Sequence, residues 1–302
     1  MDLVVRIPNI PRPGETLLGG TFATFPGGKG ANQAVAAARL GARVSMIGRV
    51  GPDAFGEQMI NVLASEGIDT SHISVDSEKA TGVALIEVDA RGQNSIAVAS
   101  GANFGLTEQD VRTAWNQIAK ADWLVMALET PIETVCIAAK LAKEQGVGVI
   151  LNPAPAQVLS KDLLRLVDVF VPNETETTAM TGMTLQSEED TCRAAMELLA
   201  KGAGNVILTL GDKGAYVLEG SQRPASPYHI AAHQVEVVDT TAAGDCFVGA
   251  LAVGLGEKKP LHDAAAFACA AAALSVTRQG AQPSMPRRVE VDQFVVERSN
   301  RQ

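Results

Sequence analysis

The chain has 302 residues, 46% of them hydrophobic and only 4% aromatic, and a formal net charge of −9. That length suits one large α/β domain or two smaller ones, and the acidic balance disfavours non-specific nucleic-acid binding. The longest apolar run, Ala264–Leu274, is too short to span a bilayer. Cys136, Cys192, Cys246 and Cys269 have no C-x-x-C spacing and read as reduced thiols of a cytoplasmic protein.

The opening residues, Met1-Asp2-Leu3, are acidic, and Pro8 breaks the apolar run that a signal peptide needs. Leu3–Ile7 is strand-like and is stopped by Pro8, Pro11 and Pro13. Thr16–Phe25 is a second strand candidate. Gly27-Gly28-Lys29-Gly30-Ala31-Asn32-Gln33 then opens into an Ala-rich helix that ends at Leu40, before Gly41. The glycine cluster is neither a Walker A loop nor G-x-G-x-x-G. It reads either as a plain loop-to-helix junction or as a cradle for a small polar ligand held by Lys29 and Asn32.

Val44–Val50 is a short strand, and Pro52–Gly67 carries helical spacing at Phe55, Met59, Ile60 and Leu63. Thr81–Val88 and Ser95–Ala99, joined by a polar turn at 89–94, form a hairpin. With the two N-terminal strands it predicts a small separate sheet, from about 3–25 and 80–100, whose apolar face needs covering by a site or by a second chain.

From Trp123 the rhythm changes. Trp123–Leu128, Val147–Leu151, Val167–Val171 and Val206–Leu210 are continuous apolar runs, with helical segments at Ile132–Gln145, Lys161–Leu166 and Glu188–Ala200. That alternation predicts a parallel sheet covered on both faces, with ligand-binding residues just past the strand ends. Those positions hold Glu129, Asn152-Pro153-Ala154-Pro155, Asn173-Glu174-Thr175-Glu176 and Gly211-Asp212-Lys213-Gly214. Tyr216–Leu218 continues as strand, Pro224–Pro227 is a loop, Leu261–Thr277 is an apolar helix, and Asp292–Gln302 is a charged tail. His72, His229, His233 and His262 have no zinc-type spacing.

The most informative stretch runs from Val237 to Phe247. A β-branched pair, Val237-Val238, is expected as strand; Ala242-Ala243-Gly244 as a tight turn; Asp245 as the opening of an apolar helix. Bare N–H groups at such a helix start favour an anion. A carboxylate beside that site is either an ordinary N-cap or a base that takes a proton from a hydroxyl attacking phosphorus.

These motifs, together with Thr209-Leu210-Gly211, Asp239-Thr240-Thr241 and Arg278-Gln279-Gly280-Ala281-Gln282-Pro283-Ser284, resemble the ribokinase-like family of ATP-dependent sugar kinases over essentially the whole length. Asn-Pro-Ala-Pro and Gly-Ala-Gln-Pro-Ser point to its ribokinase branch. The resemblance implies one domain over 1–302: a three-layer α/β/α sandwich with a mostly parallel sheet and a small β lid. It implies phosphorylation of D-ribose at the 5-hydroxyl, with Asp245 as base and the amides of Ala242, Ala243 and Gly244 as anion hole. Asp2, Gly28, Lys29, Asn32 and Glu129 match sugar-binding positions. Asn173 and Glu176 match positions near phosphate and Mg²⁺-bound water; Thr209, Leu210, Gly211, Asp212, Lys213 and Gly214 match the ATP loop, with Cys269 near the adenine. Asp239, Thr241, Ser275, Arg278, Gly280 and Ser284 match a K⁺ loop, coordinating mostly through carbonyls. A homodimer through the lid is also implied.

Family members begin with a complete β-strand running into Gly-Ser-x-Asn-x-Asp, whereas this sequence opens at that segment's last two positions, Met1-Asp2. A core strand and a sugar-binding asparagine are therefore expected to be lacking, which leaves three outcomes open: an upstream start, a different pairing, or impaired activity. The alternatives in function are a kinase for deoxyribose, fructose or a nucleoside, and a non-catalytic sugar- or nucleotide-binding protein.

Overall fold

The computed structural model describes residues 1–220 and 227–299. The Pro224–Pro227 loop and the end of the charged tail lie partly outside the described residues.

In chain order the first half contains β1 (Asp2–Arg6), β2 (Thr21–Phe25), α1 (Lys29–Arg39), β3 (Ser45–Val50), α2 (Ala54–Ser65), β4 (Asp69–Val75), β5 (Val83–Val88) and β6 (Asn94–Ala99). β1 pairs antiparallel with β2 and parallel with β5, and β5 pairs antiparallel with β6, giving the order β2-β1-β5-β6. This is the small sheet expected from 3–25 and 80–100. The second strand is shorter than expected, because Gly19 and Gly20 adopt positive φ and break the run before Thr21.

The second half contains α3 (Glu108–Thr113), α4 (Trp115–Ile118), β7 (Trp123–Met126), α5 (Ile132–Glu144), β8 (Gly148–Leu151), α6 (Lys161–Leu164), β9 (Val169–Phe170), α7 (Glu174–Thr181), α8 (Glu188–Ala200), β10 (Asn205–Thr209), β11 (Ala215–Glu219), β12 (Tyr228–Ile230), α9 (Ala243–Gly256), α10 (Leu261–Ser275) and α11 (Arg288–Ser299). Its sheet runs β12-β11-β10-β9-β8-β7, parallel from β7 to β10 and antiparallel at β11 and β12.

Alternate side chains of these strands enter two different cores. Ile150, Val169, Val171, Ile207, Ala215 and Val217 pack with α1, α9 and α10. Val149, Leu151, Phe170, Val206, Leu208 and Leu218 pack with α5, α6 and α8. Strict alternation between two helical layers explains why the strands read as unbroken apolar runs, and it makes this unit a three-layer α/β/α sandwich.

One expected strand is overturned, and three features were not specified by the sequence. The parallel sheet is divided: β3 and β4 form a separate two-stranded parallel pair, and among the described residues no strand links that pair to β7. Asn173-Glu174-Thr175-Glu176 follows β9 as expected and begins α7, where Asn173 and Glu176 form a reciprocal capping box. Val237 and Val238 are not strand; they are 59% and 61% exposed and lie outside both cores. β4 has no counterpart among the expected elements, since its half-exposed Asp-Thr-Ser-His sequence lacks an apolar run.

No helix among the described residues is long and apolar enough to cross a membrane.

Candidate active site

Ala242 adopts a left-handed conformation, φ 59°, and from it α9 starts. Asp245, the third helical residue, makes no cap hydrogen bond to its own helix. Its carboxylate turns instead toward α1, where Asn32 Nδ2 donates to Oδ2 (2.9 Å) and Gln33 Nε2 donates to Oδ1 (3.1 Å). Asp245 is only 6% exposed. Burial pushes its pKa up, while Lys29 and the two amide donors pull it back toward the charged form.

The first turn of α9 presents donors beside this carboxylate. Among the described residues, the amides of Ala242, Gly244 and Asp245 have no acceptor. The Ala243 amide does: it donates to Thr240 O at 3.2 Å, because the left-handed Ala242 folds the chain back on itself. Of the expected trio, the amides of Ala242 and Gly244 are free and that of Ala243 is engaged by Thr240 O; the Asp245 amide is free as well.

A cluster of acids from separate elements surrounds Lys29. Glu129, beyond β7, accepts from the Lys29 amide at 2.8 Å. Asp2, on β1, lies hard against Gly27; a Cβ there would stand 2.3 Å from Asp2 Oδ2. Gly28 caps α1 with φ 88°, a conformation a side chain would strain. Burial is the main force raising the pKa of Asp2, Glu129 and Glu176, and the charge of Asp245 adds to each rise. The structure therefore brings Asp2, Lys29, Asn32, Glu129, Glu176 and Asp245 into one electrostatic neighbourhood with a single lysine.

The C-terminal ends of β9 and β10 sit side by side, with an isolated parallel bridge between Asn173 and Thr209. Thr209 leads into a turn, Leu210-Gly211-Asp212-Lys213-Gly214, closed by Leu210 N donating to Gly214 O at 2.8 Å. Lys213 reaches Glu174 at 3.5 Å. Cys269 is buried on α10, its thiol pushed up to about 12 by burial, and α10 packs on β11 and β12, the strands that follow this turn.

The loops 239–241 and 275–284 are tied together. The Val238 and Asp239 amides donate to Val276 O, and Gly280 N donates to Asp239 Oδ2 at 2.9 Å. Asp239 Oδ1 accepts from the Thr241 amide and hydroxyl. Ser275 and Ser284 hydroxyls donate to Ala272 O and Ala281 O, and Arg278 pairs with Glu290. These side chains are already engaged, so a cation between the loops would be met mainly by backbone carbonyls. Two buried amides beside the site, Gln33 and Asn152, have no role assigned from the sequence; their place in quoted motifs was the one available signal.

The chain is similar to known proteins over nearly its whole length. The family described as pfkB family carbohydrate kinase matches residues 1–288. A ribokinase of Haemophilus influenzae is 48% identical over 294 residues, covering 97% of this chain and 95% of that protein. A deoxyribokinase of Salmonella typhi is 39% identical over 295 residues, covering 97% and 94%. The structure of an Arabidopsis thaliana ribokinase complexed with ribose and ATP matches with a TM-score of 0.89 at 33% identity, covering 97% of this chain and 95% of that one. With a family match across nearly its whole length and relatives this similar end to end, the chain belongs to the pfkB family of carbohydrate kinases.

Proposed function

We propose that the protein transfers the γ-phosphoryl group of ATP to the 5-hydroxyl of D-ribose. The observation that carries this reading is the pairing of Asp245 with the free amides of α9: a buried carboxylate, oriented by two donors, beside backbone N–H groups that have no acceptor. ATP bound with Mg²⁺ supplies the phosphoryl group. Asp245 accepts the hydroxyl proton as the sugar oxygen bonds to phosphorus and the bond from phosphorus to the bridging oxygen of the departing ADP breaks. The free amides stabilise charge on the transferring group.

Asp2, Gly28, Lys29, Asn32 and Glu129 bind the sugar hydroxyls. Asn32 Oδ1 is buried without a partner, which suits a hydroxyl donor. Among the described residues no group of three or more His, Cys, Asp or Glu could hold a metal ion. In this reading Mg²⁺ arrives on the phosphates and meets Asn173 and Glu176 through water. The small sheet forms a lid whose exposed apolar side chains divide by register between its two faces, Phe22 and Leu85 on one and Ile96 and Val98 on the other, so one face can cover the site while the other meets a second copy. The four cysteines are free, as suits a reducing cytoplasm.

An ADP-coupled assay over ribose, deoxyribose, fructose and a nucleoside, with ATP, Mg²⁺ and K⁺, tests the reading. The expected result is the highest kcat/KM with ribose. A preference for deoxyribose would move the assignment toward the Salmonella relative, and no sugar-dependent ADP release would leave a binding protein. Exchanging K⁺ for Na⁺ is expected to lower kcat, because the segment that Asp239 ties to Gly280 leads directly into the start of α9. An equal rate in both salts would make that loop purely structural.

A further inference from the structure

Gln33 has a more constrained environment than any sugar-binding role requires. Its Nε2 donates to Asp245 Oδ1 at 3.1 Å and to Asn152 Oδ1 at 3.3 Å. Asn152 Nδ2 in turn donates to Val171 O at 2.9 Å. Val171 is fixed at the end of β9, since its own amide donates to Leu151 O at 2.9 Å. The orientation of each amide follows from the next. Asn152 must point its nitrogen at the Val171 carbonyl, so its oxygen faces Gln33. Gln33 must then point its nitrogen at two acceptors; a flipped Gln33 would set its oxygen against both. Gln33 Oε1 is left buried without a partner, so the side chain is held by its nitrogen alone.

The second donor to Asp245 is of a different kind. Asn32 belongs to the proposed sugar-binding set, and its Oδ1 is free to accept from a sugar hydroxyl. Gln33, tied to the sheet, keeps its hold.

We propose that Gln33, anchored through Asn152 to the Val171 carbonyl, is a positioning residue that holds Oδ1 of Asp245 and so presents Oδ2 as the oxygen that receives the sugar proton. This rests on Asp245 being the base. The same arrangement links the central sheet to the reacting atoms through two side-chain amides.

The charged and titratable groups around Asp245 are Asp2 on β1, Lys29 on α1, Glu129 beyond β7, Glu176 on α7 and Cys246 on α9. All are retained in Gln33→Met, which keeps length and loses both donors. Losing a donor to the charged form favours the neutral form. The acid limb of the kcat/KM profile should therefore move to higher pH by about one unit. The kcat should fall by about 10²-fold from misplacement of the base, with KM for the sugar changed much less.

Gln33→Glu, of the same shape, puts an acceptor against Oδ1 and should move the limb further in the same direction. It carries the test alone if Gln33→Met does not fold. A folded variant with an unmoved acid limb overturns the proposal, whether or not kcat falls. Failure of the base assignment would show separately, as retained turnover in Asp245→Asn.

Discussion

Asp245→Asn is expected to lower kcat by about 10²–10⁴-fold, the usual share of a general base, while the folded protein gains thermal stability. Both effects come from one cause. Burial raises the pKa of Asp245, so keeping it ionised at neutral pH costs folding free energy. The sign follows from linkage. A carboxyl whose folded pKa lies above its unfolded value contributes stability that is full below the unfolded pKa and is lost as pH rises through the folded one. Above that raised pKa the wild-type chain has lost the contribution; the asparagine chain never depends on it. The new amide is also accommodated locally. Its NH₂ would face either Asn32 or Gln33, and Asn32 can turn its unpartnered Oδ1 toward it.

The measurement is kcat by ADP-coupled assay together with Tm, without sugar, from mildly acidic to neutral pH. The Tm gain of the variant should shrink as pH falls, because the wild type then becomes protonated. Near-wild-type turnover would remove Asp245 from the base role. Unchanged Tm at every pH would mean that the charge is better solvated than its burial implies.

The parts of the fold that could be read from the sequence are those where local and tertiary forces agree. α8 spans Glu188–Ala200 as expected, because a Ser187–Asp190 capping box marks its start and its apolar spacing continues to the end. β8 and β10 stand out because both of their faces are buried. β4 was not visible, since a half-exposed strand with polar residues has no period to detect. Val237-Val238 misled for the opposite reason: β-branched residues favour strand, but this pair is spent crossing the surface toward Asp239.

The site was legible only in fragments. Asp245 and its small-residue turn could be argued from helix-start chemistry. Residues 2, 129 and 245 share no spacing, and only the folded chain, or likeness to a known family, brings them together. Gln33 was invisible as a functional group because its partners, Asn152 and Asp245, are 119 and 212 residues away in the chain.

Gly249→Ala is expected to destabilise the fold and impair catalysis together, although the residue touches no substrate. Gly249 lies one turn beyond Asp245 on α9, on the face that meets α1. A Cβ there would stand 2.6 Å from Gln33 O, 2.7 Å from Ala36 Cβ and 3.1 Å from Ala37 N. Two of these are backbone atoms of a helix and cannot rotate away, so α1 itself must shift. Overpacking of this kind costs about 1–3 kcal/mol, which for a chain this size lowers Tm by several degrees.

The shift falls where Asn32 and Gln33 reach Asp245, so kcat should drop by about 10²-fold, as displacements near 1 Å commonly produce. Gly256→Ala, at the far end of the same helix, is the matched control. A Cβ at Gly256 meets nothing within 4 Å, and alanine is the better helix former, so its Tm should hold or rise with kcat unchanged. If both alanine variants behave alike in Tm and kcat, the close approach of α1 and α9 does not set the position of the base, and the amide donors must be held by the sheet alone.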